Sequence, residues 1–156
     1  MEDALRDLYQ EVILDHGKHP RNHRHPPEAN RSARGYNPLC GDQVTVYLAA
    51  DDSGCIQDVA FEGQGCAISI ASASMMTEVL RGKTETEARR LFDDFHRLCT
   101  ENDFTLDQAE AEDREALERL QVLSGVREFP VRVKCATLAW HAMTSALSGG
   151  GEATTE

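Results

Sequence analysis

The chain has 156 residues, 40% of them apolar, which is enough for one domain with a substantial core. Its formal net charge of −11 argues against nucleic acid and anionic membrane surfaces as partners, since proteins grip both through clustered Lys and Arg. No run approaches the roughly 18–20 consecutive apolar residues of a membrane-spanning helix, and Met1-Glu2-Asp3-Ala4 opens without a charged-then-apolar leader, so the expected location is cytoplasmic.

Leu5, Leu8, Tyr9, Val12 and Ile13 recur at helical spacing and predict an amphipathic helix over 5–14, closed by His16-Gly17-Lys18-His19-Pro20. The stretch to Asn30 reads as a loop. His16, His19, His23 and His25 in it leave two readings open, a metal site or a solvated segment that docks a partner. Val44, Val46 and Leu48 alternate with Thr45 and Tyr47, predicting a strand over 43–50. Asp51-Asp52-Ser53-Gly54 is a turn signal, and 55–62 returns as a second strand with Ile56, Val59 and Phe61 apolar. Cys66 stands before a helix rich in small residues that Gly82 ends. Thr84-Glu85-Thr86-Glu87 has the capping-box pattern and starts a helix to about Leu98, with Ala88, Leu91, Phe92 and Phe95 inward. Residues 100–118 are acidic and read as a solvated excursion, helical in part near 115–123 and broken by Ser124-Gly125. Pro130 suits the first turn of a last helix carrying Leu138, Trp140, Met143 and Leu147. The expectation is a single domain over 1–147 and a disordered Gly-rich tail over 148–156.

Five cysteines is an odd count, and in a reducing compartment they should be thiols or metal ligands. Cys40 and Asp42, two apart, share a face if the backbone is extended, and Gly41 lets the chain bend toward one centre. Gly63 and Gly65 do the same before Cys66, whose place at a helix N-terminus favours its thiolate. With Cys135, this set of thiolates and one carboxylate suits a tetrahedral zinc ion. Spacing alone leaves metal binding and ordinary buried cysteines equally open, because the ligands lie too far apart for a zinc-finger pattern. Cys55 and Cys99 have no motif around them and read as structural. Arg132 and Lys134 are either plain surface charges or cations that offset the excess negative charge of such a site.

Leu8-Tyr9-Gln10-Glu11-Val12-Ile13-Leu14-Asp15-His16, Pro20-Arg21-Asn22 and Asn37-Pro38-Leu39-Cys40-Gly41-Asp42 form one series of motifs. Phe61-Glu62-Gly63-Gln64-Gly65-Cys66-Ala67-Ile68-Ser69, Ser72-Ala73-Ser74-Met75-Met76 and Val131-Arg132-Val133-Lys134-Cys135-Ala136-Thr137-Leu138-Ala139-Trp140 complete it. Together they resemble the U-type iron–sulfur assembly proteins, the family of IscU scaffolds and SufU sulfur carriers, from the first helix to the last. Scaffolds of the IscU type carry His immediately before the last cysteine, within a chaperone-recognition motif. Here Lys134 stands there, and the excursion before Gly125 looks like a SufU insertion.

The resemblance implies an α+β fold, a small antiparallel three-stranded sheet packed against helices. It implies a zinc site at Cys40, Asp42, Cys66 and Cys135, with Cys40 as sulfur acceptor and Arg132 near the site. It implies persulfide transfer from a SufS-type cysteine desulfurase, one of whose histidines frees Cys40 from the metal, toward a SufBCD-type assembly complex. Two alternatives stay open: a scaffold that builds an iron–sulfur cluster on the same ligands, and a purely structural zinc module.

Overall fold

The computed structural model describes the backbone of residues 2–154 and the side chains of residues 9–150. Helix α1 spans Glu2–Lys18, four residues beyond the predicted end at Leu14, because Gly17 stays helical and only His19 and Pro20 of the predicted stop lie outside. The predicted apolar positions Leu5 and Leu8 lie outside the described side chains; Val12 and Ile13 pack against the core.

Strand β1, Arg31–Asn37, has no hydrophobic alternation to announce it, since its inward positions are Ala33, Gly35 and Asn37. A Cβ at Gly35 would stand 3.1 Å from Leu138 Cδ1 and 3.3 Å from Ala142 Cβ, so a helix lies almost directly on this strand. Strand β2, Asp42–Ala50, turns Asp42, Val44, Val46 and Leu48 inward as one file. Strand β3, Ile56–Gln64, follows the predicted turn, where Asp51 Oδ1 accepts from the amides of Ser53 and Cys55.

β1–β2 and β2–β3 pair antiparallel. The expected disordered tail instead returns to the sheet. Gly149 and Gly150, at φ 121° and 92°, reverse the chain, and Gly151–Thr154 forms β4, parallel to β1, giving the order β3-β2-β1-β4. The outer edge of β1 offers unpaired backbone groups, and β4 takes them.

Helix α2, Ala67–Leu80, is buried along almost its whole length, which its small side chains permit. Helix α3, Glu85–Thr100, starts at the predicted capping box, with Thr84 Oγ1 bonded to the Glu87 amide and the Glu87 carboxylate to the Thr84 amide. The acidic excursion is less solvated than its composition suggests. It forms short 3-10 turns, then helix α4 (Arg114–Leu120) and a 3-10 run over Gln121–Glu128 that carries straight through Ser124-Gly125. Phe104, Ala109, Leu117, Leu120, Leu123 and Val126 join the core, and the buried Asp113 carboxylate pairs with Arg90 at 2.7 Å. Helix α5, Pro130–Leu147, begins at Pro130 and lies across β1 and β2. Its Trp140 is fully buried, and the indole N–H donates to Ser72 Oγ on α2 at 3.1 Å.

Candidate metal centre

The β1–β2 connection, residues 38–41, brings the first ligands. The Asn37 carbonyl accepts from the amides of Cys40 at 3.3 Å and Gly41 at 2.8 Å, closing a tight turn that Gly41 completes at φ 73°. Cys40 therefore sits on an exposed turn rather than in extended strand, which corrects the expectation that it shares a strand face with Asp42. Asp42, the first residue of β2, points inward and is 1% exposed.

The second ligand stretch leaves β3. Gly63, at φ 147°, passes so near the Gln43 carbonyl that no side chain fits, and Cys66 follows as N-cap of α2. Its Sγ accepts from the Ser69 amide at 3.4 Å, and its own amide donates to Asp42 Oδ1 at 2.9 Å. Cys135 comes from the second turn of α5, not from its first residues, and is fully buried.

These elements meet. One ligand atom each from Cys40, Asp42 and Cys135 lies within 4.8 Å of the others. The Cys40 and Cys135 sulfurs are 3.5 Å apart, and the Cys66 thiol donates to Asp42 Oδ2 at 3.8 Å. Cys66 stands outside the mutual group of three and joins it through Asp42. A tetrahedral ion with metal–sulfur bonds of about 2.3 Å separates its sulfurs by roughly 3.8 Å. The sulfur pair already stands near that spacing and far beyond a disulfide bond, and all five cysteines are free. The donor set and its spacing fit a zinc ion.

The electrostatics agree with a site built for anionic ligands. Burial pushes the Cys135 thiol well above its ordinary range, and the neighbouring Cys40 and Cys66 push in the same direction. A buried thiolate here needs a compensating cation. Arg132 stands within reach: the charge of Cys66, then a hydrogen bond and the charge of Cys135, then the charge of Cys40 raise its pKa. Lys134 is half-buried on the same helix. Cys55 contacts the Gly82 carbonyl, and burial drives the Cys99 thiol up to about 12, so neither joins the site.

The four histidines of the 16–25 stretch do not converge. His16 Nδ1 bonds Ser74 Oγ at 2.7 Å, His23 packs on Phe61, and His25 stacks on Tyr47 at 4.0 Å between ring centroids. Three exposed apolar side chains escaped the sequence reading: Leu39 beside Cys40, and Phe129 and Val131 at the start of α5. Their signal was present, since Leu39 adjoins Cys40, Val131 adjoins Arg132 and Phe129 directly precedes Pro130, none of them belonging to an apolar period.

Residues 8–98 match the family model described as the NifU-like N-terminal domain. The chain is 38% identical over 151 residues to the iron–sulfur cluster assembly scaffold protein IscU of Streptococcus pyogenes, covering 96% of this chain and 88% of that protein. It is 37% identical over 142 residues to the zinc-dependent sulfurtransferase SufU of Bacillus subtilis, covering 89% and 88%. The N-terminal part of a nitrogen-fixing NifU-like protein from Brucella abortus superposes with a TM-score of 0.76 at 27% identity, over 91% of this chain and 93% of that one.

Proposed function

The chain belongs to the NifU-like N-terminal domain family of iron–sulfur cluster assembly proteins, and on that premise we propose that it is a zinc-dependent sulfur carrier. It accepts persulfide sulfur from a SufS-type cysteine desulfurase and passes it to a SufBCD-type assembly complex. Cys40, Asp42, Cys66 and Cys135 hold the zinc, which when bound keeps the thiols in their deprotonated form at neutral pH.

The observation that carries this reading is the unequal hold on three neighbouring thiols. Cys66 is tied as an N-cap, and Cys135 is fully buried in α5, whereas Cys40 is exposed on a turn. Only Cys40 can swing toward a donor without unravelling a helix. Its thiolate attacks the outer sulfur of the donor persulfide. A new S–S bond forms at Cys40, the donor's S–S bond breaks, and the electron pair leaves with the donor's cysteine thiolate. No oxidant or reductant is consumed. Arg132 offsets the negative charge that gathers as two sulfur anions approach. The exposed Leu39, Phe129 and Val131 give the donor protein an apolar seat around Cys40.

The test is to mix the zinc-loaded protein with a persulfidated desulfurase, quench with an alkylating agent and map the modified cysteine by mass spectrometry. Sulfur on Cys40 is expected. Sulfur on Cys66 or Cys135 in protein still holding zinc overturns the assignment. A relative of scaffold type favours a second reading, in which an iron–sulfur cluster is built on the same ligands. Colour and metal content separate the two: a colourless protein with about one zinc per chain is a carrier, and a brown one with iron and acid-labile sulfide is a scaffold.

A further inference from the structure

Asn37 is fully buried, yet it is the last residue of β1, next to an exposed turn. Burying an amide costs stability unless each polar atom finds a partner. Here each side-chain atom and the carbonyl find one, on the turn that carries Cys40 or on Cys135 itself. Asn37 Oδ1 accepts from the Leu39 amide at 3.2 Å, one residue before Cys40. Its backbone carbonyl accepts from the amides of Cys40 and Gly41. Its Nδ2 donates to Cys135 Sγ at 3.8 Å. In the sheet register it stands opposite Asp42.

The orientation of the amide follows from chemistry. The Leu39 amide can only donate, so the side-chain oxygen must face it, and the NH₂ group must face the Cys135 sulfur. One side chain therefore ties the Cys40 turn to helix α5, reaching a cysteine 98 positions further along the chain.

We propose that Asn37 is a positioning residue of the metal centre, its oxygen fixing the turn that presents Cys40 and its N–H group holding and electronically tempering the Cys135 thiolate. The inference rests on the reading of this site as a zinc site. An N–H···S bond withdraws charge from a thiolate, so Cys135 becomes a retained ligand, and nothing comparable from Asn37 reaches the Cys40 sulfur. The asymmetry between the thiol that stays and the thiol that leaves is then partly built by one amide. Outer-shell partners of metal ligands contribute about 10–100-fold to metal affinity.

Two variants separate the two halves of the role. Asn37→Ala removes both contacts. Asn37→Ser keeps a short hydroxyl that can accept from the Leu39 amide but cannot reach Cys135. Zinc affinity is measured by competition with a chromophoric chelator, the thiolate-to-cobalt charge-transfer band is recorded after cobalt(II) substitution, and exchange of the Leu39 amide is followed by mass spectrometry. The expected result is a zinc affinity about 10–100-fold lower in Asn37→Ala, with fast Leu39 exchange. Asn37→Ser should lose less affinity and keep Leu39 protected. Both should show the same displacement of the cobalt band to longer wavelength, because both lack the N–H donor. An unmoved cobalt band in both variants overturns the proposal, whether or not affinity falls, since a loss of affinity alone is what a merely structural residue would cause. Should Asn37→Ala not fold, the Asn37→Ser spectrum decides. Failure of the parent protein to bind zinc at all would instead strike the proposed function, independently of Asn37.

Discussion

Gly65 leaves room for the Asp42 carboxylate: a Cβ at Gly65 would stand 2.6 Å from Asp42 Oδ1 and 3.0 Å from its Cγ. That oxygen is also the acceptor for the Cys66 amide, at 2.9 Å. The glycine, the N-cap cysteine and the carboxylate are thus one fitted unit, and Asp42, the one carboxylate among the candidate ligands, is held by the Cys66 amide on one oxygen and the Cys66 thiol on the other.

Gly65→Ala should push Asp42 out of register and lower zinc affinity by about 10-fold or more, the usual range for a disturbed outer shell. The measurement is chelator competition on the purified variant. An affinity equal to the parent's would show that Asp42 is not a ligand or that the loop gives way freely.

Zinc removal should destabilise the fold, since an ion bound only by the folded state adds stability by mass action. At free zinc about 100 times the dissociation constant the gain is about 2.7 kcal/mol. For a domain of this size each kcal/mol moves Tm by about 2–4 °C, so chelation should lower it by roughly 5–11 °C. Cys66→Ala and Cys135→Ala should bind substoichiometric zinc and lack this shift. Full zinc occupancy in both would remove the four-ligand assignment.

Phe104 ties the acidic excursion to the body of the protein. It is 6% exposed, belongs to the main core, and has the Arg97 guanidinium 4.5 Å above its ring. Phe104→Ala should cost about 3 kcal/mol, a fall in Tm of roughly 6–12 °C. Zinc stoichiometry should stay near one per chain, because Phe104 packs beside Arg97 of α3 and the segment supplies none of the candidate ligands. Loss of zinc in a variant that remains folded would mean that the excursion shapes the site.

Much of the architecture was legible because its signals are local. Val44, Val46 and Leu48 alternate, Thr84 and Glu87 stand three apart, and Cys66 precedes a small-residue helix; the structure uses each of them as its local chemistry suggests. β1 was silent for a tertiary reason. Its inward residues are Ala33, Gly35 and Asn37: at Gly35, Leu138 and Ala142 of α5 leave little room for a side chain, and Asn37 reaches a cysteine of that helix. The excursion misled in the opposite sense. Its acidic composition hid the buried Asp113, whose charge is matched by Arg90 on α3 and not by any residue nearby in sequence. In the candidate centre, Cys40, Asp42 and Cys135 are brought together, but the turn conformation of Cys40 depends on Asn37 and could not be read from a two-residue spacing.

His16 should make the metal-free protein acid-sensitive. Burial lowers its pKa below 6.5 and Arg21 and Arg119 add to this, while Glu78 and Asp15 oppose it. The folded state therefore resists a proton that the unfolded chain takes up. Stability is fully present above pH 6.5 and is lost as pH falls from there toward the lowered folded value, below which the curve flattens. Burial lowers His141 in the same sense, so His16→Gln should remove part of the slope, not all of it. Urea melts of chelator-treated protein at several pH values test this. A His16→Gln slope identical to the parent's would show that Glu78 compensates the buried imidazolium.

The last prediction sets Arg132 against Cys40. Arg132 is exposed, and the thiolates around it raise its pKa, so it acts on them through charge and not through a bond to the reacting sulfur. Charge beside a partly solvated site is replaceable in part by neighbours and by salt. A sulfur acceptor is not replaceable, because no other exposed thiol stands at the turn: Cys135 is buried, and Cys66 caps α2. Added to a SufS-type desulfurase, the parent protein should raise sulfide release from cysteine in the presence of a reductant. Arg132→Ala should lower that stimulation by about 10-fold, the scale of roughly 1.4 kcal/mol of lost charge stabilisation, and Arg132→Lys should recover part of it. Cys40→Ala should abolish it while remaining folded. The arginine deficit should also shrink as salt rises, since ions then screen the same negative charge in parent and variant alike. If Arg132→Ala abolished transfer and Cys40→Ala retained it, the acceptor would have to be sought at Cys66, which shares the same charge relationship with Arg132 and is the next most accessible sulfur of the centre.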